Sequence, residues 1–186
     1  VEKQNYGRLH SRQIRWAVYA HFACLEESMK KITTKQIAFC GMLAAAYAAI
    51  TLATASFAYE AIQFRLAEAL CILPFLAPVS TWGCFLGCLI ANIFSPVSAL
   101  DIVVGSLATL LGCLWTTKIK NPYLAPLPTI LCNTVLVGAM LAWVYTPDAL
   151  LSGFAVMGGQ VFIGETAVLY ILGLPLLFAL KKGQVL

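Results

Sequence analysis

The chain has 186 residues, of which 61% are hydrophobic and 11% charged, and its mean hydropathy is +0.86. A soluble domain carries about 25% charged residues, so the composition excludes an ordinary soluble fold and points to a compact integral membrane domain. The net charge of +4 gathers in the N-terminal segment and in lysines beside apolar runs; that pattern sets membrane orientation and does not suggest nucleic-acid binding.

Residues 1–28 are mixed polar, basic and aromatic. They contain no apolar h-region of about 7–15 residues, so they do not read as a secretory signal. Two readings fit them. One is an N-terminal extension in which Ile14 to Leu25 lies at the membrane interface, with Arg12 and Arg15 beside Trp16 and Tyr19. The other is a segment outside the native coding sequence, because Met29-Lys30-Lys31 ahead of an apolar run has the form of a start. Residues 29–186 then hold the membrane domain.

Six spans are expected, giving an all-α polytopic bundle. The first runs from about Gln36 to Phe57, long enough to cross a bilayer core. Small residues dominate its first half. Gly41 and Ala45, and Ala44 and Ala48, recur at spacings of four, which lets a second helix approach closely. That face either packs inside the bundle or docks on a separate membrane protein. A connection carrying Tyr59, Glu60, Gln63 and Phe64 follows.

The second helix starts near Arg65 and ends near Pro74–Pro78, short for a span and bounded by prolines. Arg65 and Glu68 lie three apart and share a helix face. In so apolar a chain they form either an interfacial ion pair that anchors the helix start or the rim of a polar pocket. The third span covers about Thr81 to Phe94, with Trp82 as an interfacial anchor, Gly83 and Gly87 for close packing, and Asn92 near its end. The fourth runs from about Leu100 to Thr117, and Asp101 opens it as a helix-start residue or as a pocket carboxylate. The fifth spans about Leu127 to Tyr145 and contains Asn133. The sixth spans about Phe154 to Leu180, with Gln160 and Glu165 in its first half and Lys181-Lys182 at its end.

With the N-terminus inside, Lys30, Lys31, Lys35, Lys118, Lys120, Lys181 and Lys182 all fall on the cytoplasmic side, and Arg65 is the only basic residue opposite. This is a positive-inside pattern for a multi-pass plasma-membrane protein with both termini cytoplasmic. It gathers Glu60, Arg65, Glu68, Asn92, Asp101 and Gln160 in the outer half, with Glu165 deeper. The seven cysteines form no CxxC pair, and they read as small packing residues; Cys84 and Cys88 share a face but lack histidine partners for a metal site. HExxH, GxSxG and Walker A motifs are missing. The expectation is therefore a binding or transport protein, not an enzyme.

Ile62–Pro74, Phe85–Asn92, Leu100–Leu111, Leu124–Pro128, Gly164-Glu165 and Leu172–Leu177 closely resemble the QueT family, and the resemblance runs from about Met29 to Lys182. It implies a six-helix substrate-binding S component of an energy-coupling factor (ECF) transporter. Such a component binds no cofactor. It docks on a transmembrane coupling protein and two ATPase subunits that use ATP and Mg, and the small-residue face of the first helix resembles the docking surface. The implied solute is a queuosine precursor, the deazaguanine preQ1, or preQ0 or queuine.

A guanine-like edge suits a carboxylate in bidentate fashion, for which Glu165 is the first candidate and Glu68 the second. Asn92, Asn133, Gln160 or Arg65 would donate to the carbonyl oxygen. Asp101 or Glu68 would meet the cationic aminomethyl group of preQ1. Tyr47, Phe57, Tyr59 and Phe64 are candidates to flank the ring. The competing reading is a free-standing secondary transporter of a nucleobase-like or vitamin-like solute.

Overall fold

The computed structural model describes residues 33–58, 64–96 and 98–183, with the side chains of Phe57 and Ala58 excepted. The N-terminal extension, and the connection carrying Tyr59, Glu60 and Gln63, lie outside the described residues. The chain divides into two compact units, Val1–Ile37 and Ala38–Leu186, and the second holds every candidate site residue.

Helix α1 spans Thr34–Ala53. A reciprocal capping box starts it: the Gln36 amide donates to Thr33 Oγ1, and the Thr33 amide donates to Gln36 Oε1. Its expected continuation to Phe57 breaks at Thr54. Thr51 and Thr54 there donate their hydroxyls to Tyr47 O and Ile50 O, a back-bonding that bends helices. The four-residue helix α2, Ala55–Ala58, follows.

The expected second helix is a 3₁₀ helix, Leu66–Phe75. Runs of this helix longer than about four residues are uncommon, and its rise of about 2.0 Å per residue carries it further than an α-helix of equal length. This explains how so short a segment serves the bundle. With three residues per turn, Arg65, Glu68, Cys71 and Pro74 line up along one edge. Ala67, Glu68, Ala69, Cys71, Ile72, Leu73 and Pro74 are all buried. The segment packs against the helices that follow it in sequence.

Helix α3, Ser80–Ile93, presents glycines to α1. A Cβ at Gly87 would stand 2.6 Å from Tyr47 Cβ and 2.8 Å from Ala44 O, so only glycine allows this crossing. Helix α4, Ala99–Thr116, is capped by Ser98, whose side chain accepts from the Leu100 amide. Asp101, Gly105, Ala108, Thr109 and Gly112 face inward, while Val103, Leu107, Leu111 and Leu114 are exposed. Small and polar inside, large and apolar outside, is the arrangement of a helix in lipid. Helix α5 spans Leu127–Tyr145.

The expected sixth span is three segments: α6 (Leu150–Val168), a π-helical turn (Leu169–Gly173) and α7 (Leu174–Gly183). Pro175 accounts for the interruption. It offers no amide proton, and its ring would collide with the carbonyl of Ile171, which lies in the widened turn. Sequence neighbours α3, α4, α5 and α6 pack in succession, and the π turn packs on the 3₁₀ helix. Among the described residues, four helical stretches are long and apolar enough to cross a membrane, and Leu66–Phe75 and Ser80–Ile93 are shorter apolar helices, six in all. The protein is an all-α membrane bundle.

Candidate functional site

The buried polar side chains come from six elements and meet in linked groups. Arg65, at the entry to the 3₁₀ helix, donates to Asp101 Oδ2 of α4 at 2.9 Å and to Asn92 Oδ1 of α3 at 3.0 Å. The arginine is 4% exposed and the aspartate 0%. Charges removed from water this completely need close partners and further hydrogen bonds. Ser95 supplies one, donating to Asp101 Oδ2 at 2.7 Å, and Asn92 Nδ2 donates to the Asp101 carbonyl at 3.0 Å. Gly105 makes this possible: a Cβ there would stand 2.7 Å from both Asn92 Nδ2 and Asp101 Oδ1.

One 3₁₀ turn further on, Glu68 is wholly buried. Its Oε1 accepts from the Tyr47 hydroxyl of α1 at 2.5 Å and from Thr109 Oγ1 of α4 at 3.4 Å. Thr109 also contacts Cys88 Sγ at 3.3 Å, and Arg65 Nη1 reaches the same sulfur at 4.0 Å, so the Glu68 and Asp101 groups are continuous. The third group is Glu165 of α6, whose Oε1 accepts from Asn133 Nδ2 of α5 at 2.9 Å. Among the described residues, Glu68 Oε2, Asp101 Oδ1 and Glu165 Oε2 are buried and have no hydrogen-bond partner, and neither do the hydroxyls of Thr81, Ser106, Thr129, Thr134 and Thr166. Buried acceptors of this kind call for donors that the described residues do not provide.

The structure thus brings together Tyr47, Arg65, Glu68, Asn92 and Asp101, and pairs Asn133 with Glu165. Phe64 and Gln160 are half-buried. Asp101 does not cap its helix, a role taken by Ser98, but sits in the first turn and holds Arg65. The ion pair joins Arg65 to Asp101, not to Glu68 three residues away, because Glu68 turns to Tyr47 and Thr109. Thr109 and Ser95 escaped the sequence reading, and Cys88, read there as a packing residue, also touches Thr109 and Arg65. Thr109 was legible as the polar member of the small-residue face Gly105, Ala108 and Gly112; Ser95 lay unweighed in a loop.

The small residues of α1 divide. Ala44 and Ala48 are buried in the bundle with Leu43, Tyr47 and Thr51, while Gly41 and Ala45 are exposed. A separate groove of about 400 Å³ is lined by Ala139, Ala142, Trp143, Leu150, Leu151 and Phe154. It is apolar and shares no residue with the polar groups.

Residues 37–182 match the family model described as QueT transporter. No curated protein and no solved structure matches the chain. The match covers most of the chain and includes every polar group above, and the bundle is that of a multi-pass membrane protein: the chain belongs to the QueT transporter family.

Proposed function

We propose that this protein is the solute-binding S component of an ECF-type transporter and captures a queuosine precursor (preQ1, or preQ0 or queuine) from outside the cell. The observation that carries the reading is the pair of buried carboxylates, Glu68 and Glu165, each with one oxygen held by the protein, the other without a partner among the described residues, and no ion pair of the kind that holds Asp101. A guanine-like edge offers adjacent N–H donors that suit Glu165, with Asn133 beside it for the carbonyl oxygen. The cationic aminomethyl group of preQ1 suits Glu68. Arg65 is already matched by Asp101, so the two other buried carboxylates among the described residues favour a cationic solute over an anionic one.

No chemistry on the solute is involved. The loaded protein docks on a transmembrane coupling protein through the exposed Gly41 and Ala45 edge of α1, with Ala44 and Ala48 seating that helix on the bundle. Two partner ATPase subunits supply the energy from ATP and Mg, and release inside follows from the different affinities of the free and docked states. Lysines 35, 118, 120, 181 and 182 mark the cytoplasmic ends, and Arg65 lies toward the opposite side.

Trp82, Trp115 and Trp143 are 52%, 49% and 63% exposed. They face away from the polar groups and would report weakly on them, so calorimetry is the better test. The detergent-purified protein is titrated with preQ1, preQ0, queuine, guanine and riboflavin. Saturable binding of one deazapurine, abolished in Glu165→Gln, is expected. Binding of none of them by folded protein would remove the solute assignment. Solute accumulation in vesicles that lack the ATPase subunits would instead favour the secondary-transporter reading.

A further inference from the structure

Cys71 of the 3₁₀ helix, Cys84 of α3 and Cys113 of α4 place their sulfurs within 4.8 Å of one another, and all three are fully buried. They are 13, 29 and 42 residues apart in sequence, so no spacing rule would pair them. Metal–sulfur bonds of about 2.3 Å in a trigonal plane need sulfurs about 4.0 Å apart, a separation that small side-chain rotations supply here. From this geometry we infer that the three cysteines form a site for one soft monovalent cation of the Cu(I) type.

The chemistry of the donors selects the ion. Sulfur alone favours soft cations over magnesium, calcium or manganese, which take oxygen. No fourth cysteine, histidine or carboxylate belongs to the group among the described residues. A structural zinc site takes four ligands, so a three-sulfur site disfavours zinc. The group sits in the core with Leu43, Leu73 and Ala91. A thiol that coordinates a metal is deprotonated, so for each sulfur that binds, one S–H bond is lost and one proton leaves to water, and no electron is transferred. Cu(I), which soft sulfur selects and which needs no fourth ligand, suits a group of three sulfurs.

Cys84 Sγ donates to the Leu70 carbonyl at 3.5 Å, a weak bond that a metal–sulfur bond readily replaces. An ion bound here would tie the 3₁₀ helix to α3 and α4, one turn from Glu68. The inference rests on no reading of the solute.

The test titrates the full chain in detergent, anaerobically, with Cu(I) against a coloured Cu(I) chelator. One ion per chain is expected. Cys71→Ser, Cys84→Ser and Cys113→Ser should each weaken retention by more than the roughly 10–100-fold that losing a ligand-orienting residue costs, while Cys40→Ser and Cys132→Ser keep it. Undiminished binding in Cys84→Ser, loss in Cys132→Ser, or no ion held by the wild type would overturn the proposal. Should the buried variants fail to fold, X-ray absorption on the loaded wild type decides. Three sulfur neighbours at one distance support the site, and nitrogen or oxygen neighbours, or two sulfurs, refute it.

Discussion

The Arg65–Asp101 pair offers the sharpest test of the bundle. Asp101→Ala removes the carboxylate that Arg65 and Ser95 both donate to, and leaves the arginine buried beside Asn92. Removing one partner of a buried ion pair costs about 3–5 kcal/mol, because the other charge stays out of water. At 4% and 0% exposure, solvent screening gives little relief. Removing both charges relieves most of that cost, since apolar replacement of a buried pair is often neutral or better. The double variant Arg65→Met with Asp101→Ala should therefore be more stable than Asp101→Ala alone. Reversible unfolding in mixed detergent micelles, followed by far-UV circular dichroism, measures all four corners of the cycle. Losses that merely add, with a coupling below about 0.5 kcal/mol, would show that the two residues are not paired and would undo the described geometry.

Further outcomes follow from the same contacts. Tyr47→Phe keeps the ring and removes the donor to Glu68, and should cost about 1.5–3 kcal/mol, the range for a hydrogen bond to a charged group; the same unfolding assay reads it. Gly87→Ala places a methyl where Tyr47 Cβ and Ala44 O stand, and overpacking of this kind costs about 1–3 kcal/mol. A variant as stable as the wild type would mean that α1 and α3 are further apart than described. Glu68→Gln should erase any preference for preQ1 over neutral preQ0, a loss of about 10–150-fold in relative affinity, measured by calorimetry. An unchanged preference would assign the cationic group elsewhere. An impermeant amine reagent should leave Lys118 and Lys120 unmodified in intact cells and label them in inverted vesicles, read by peptide mass mapping; labelling from outside would reverse the orientation.

What the sequence alone determined is the set of spans. A helix in hydrocarbon must satisfy its backbone groups within itself, so an apolar run of sufficient length states both its structure and its place. The fifth span, Leu127–Tyr145, falls where the sequence put it, and α3 and α4 are displaced by a residue. The cost of burying charge also marked Arg65, Glu68, Asp101 and Glu165 before any fold was known.

The sequence did not state which face of each span meets which neighbour. Apolar side chains cover most of these helices nearly all round, so periodicity tells the inner face from the lipid face only where small residues line it, as in α4. Helix type stayed hidden for a related reason. Residues 66–75 are mostly buried and carry no signal that separates a 3₁₀ from an α-helix, and Pro175 marks an interruption without stating that it takes the form of a π turn. The pairing of Arg65 with Asp101, of Tyr47 with Glu68, and of three cysteines from three elements depends on how the helices are rotated against one another. Only the tertiary packing sets that rotation, through the glycines that let the backbones meet.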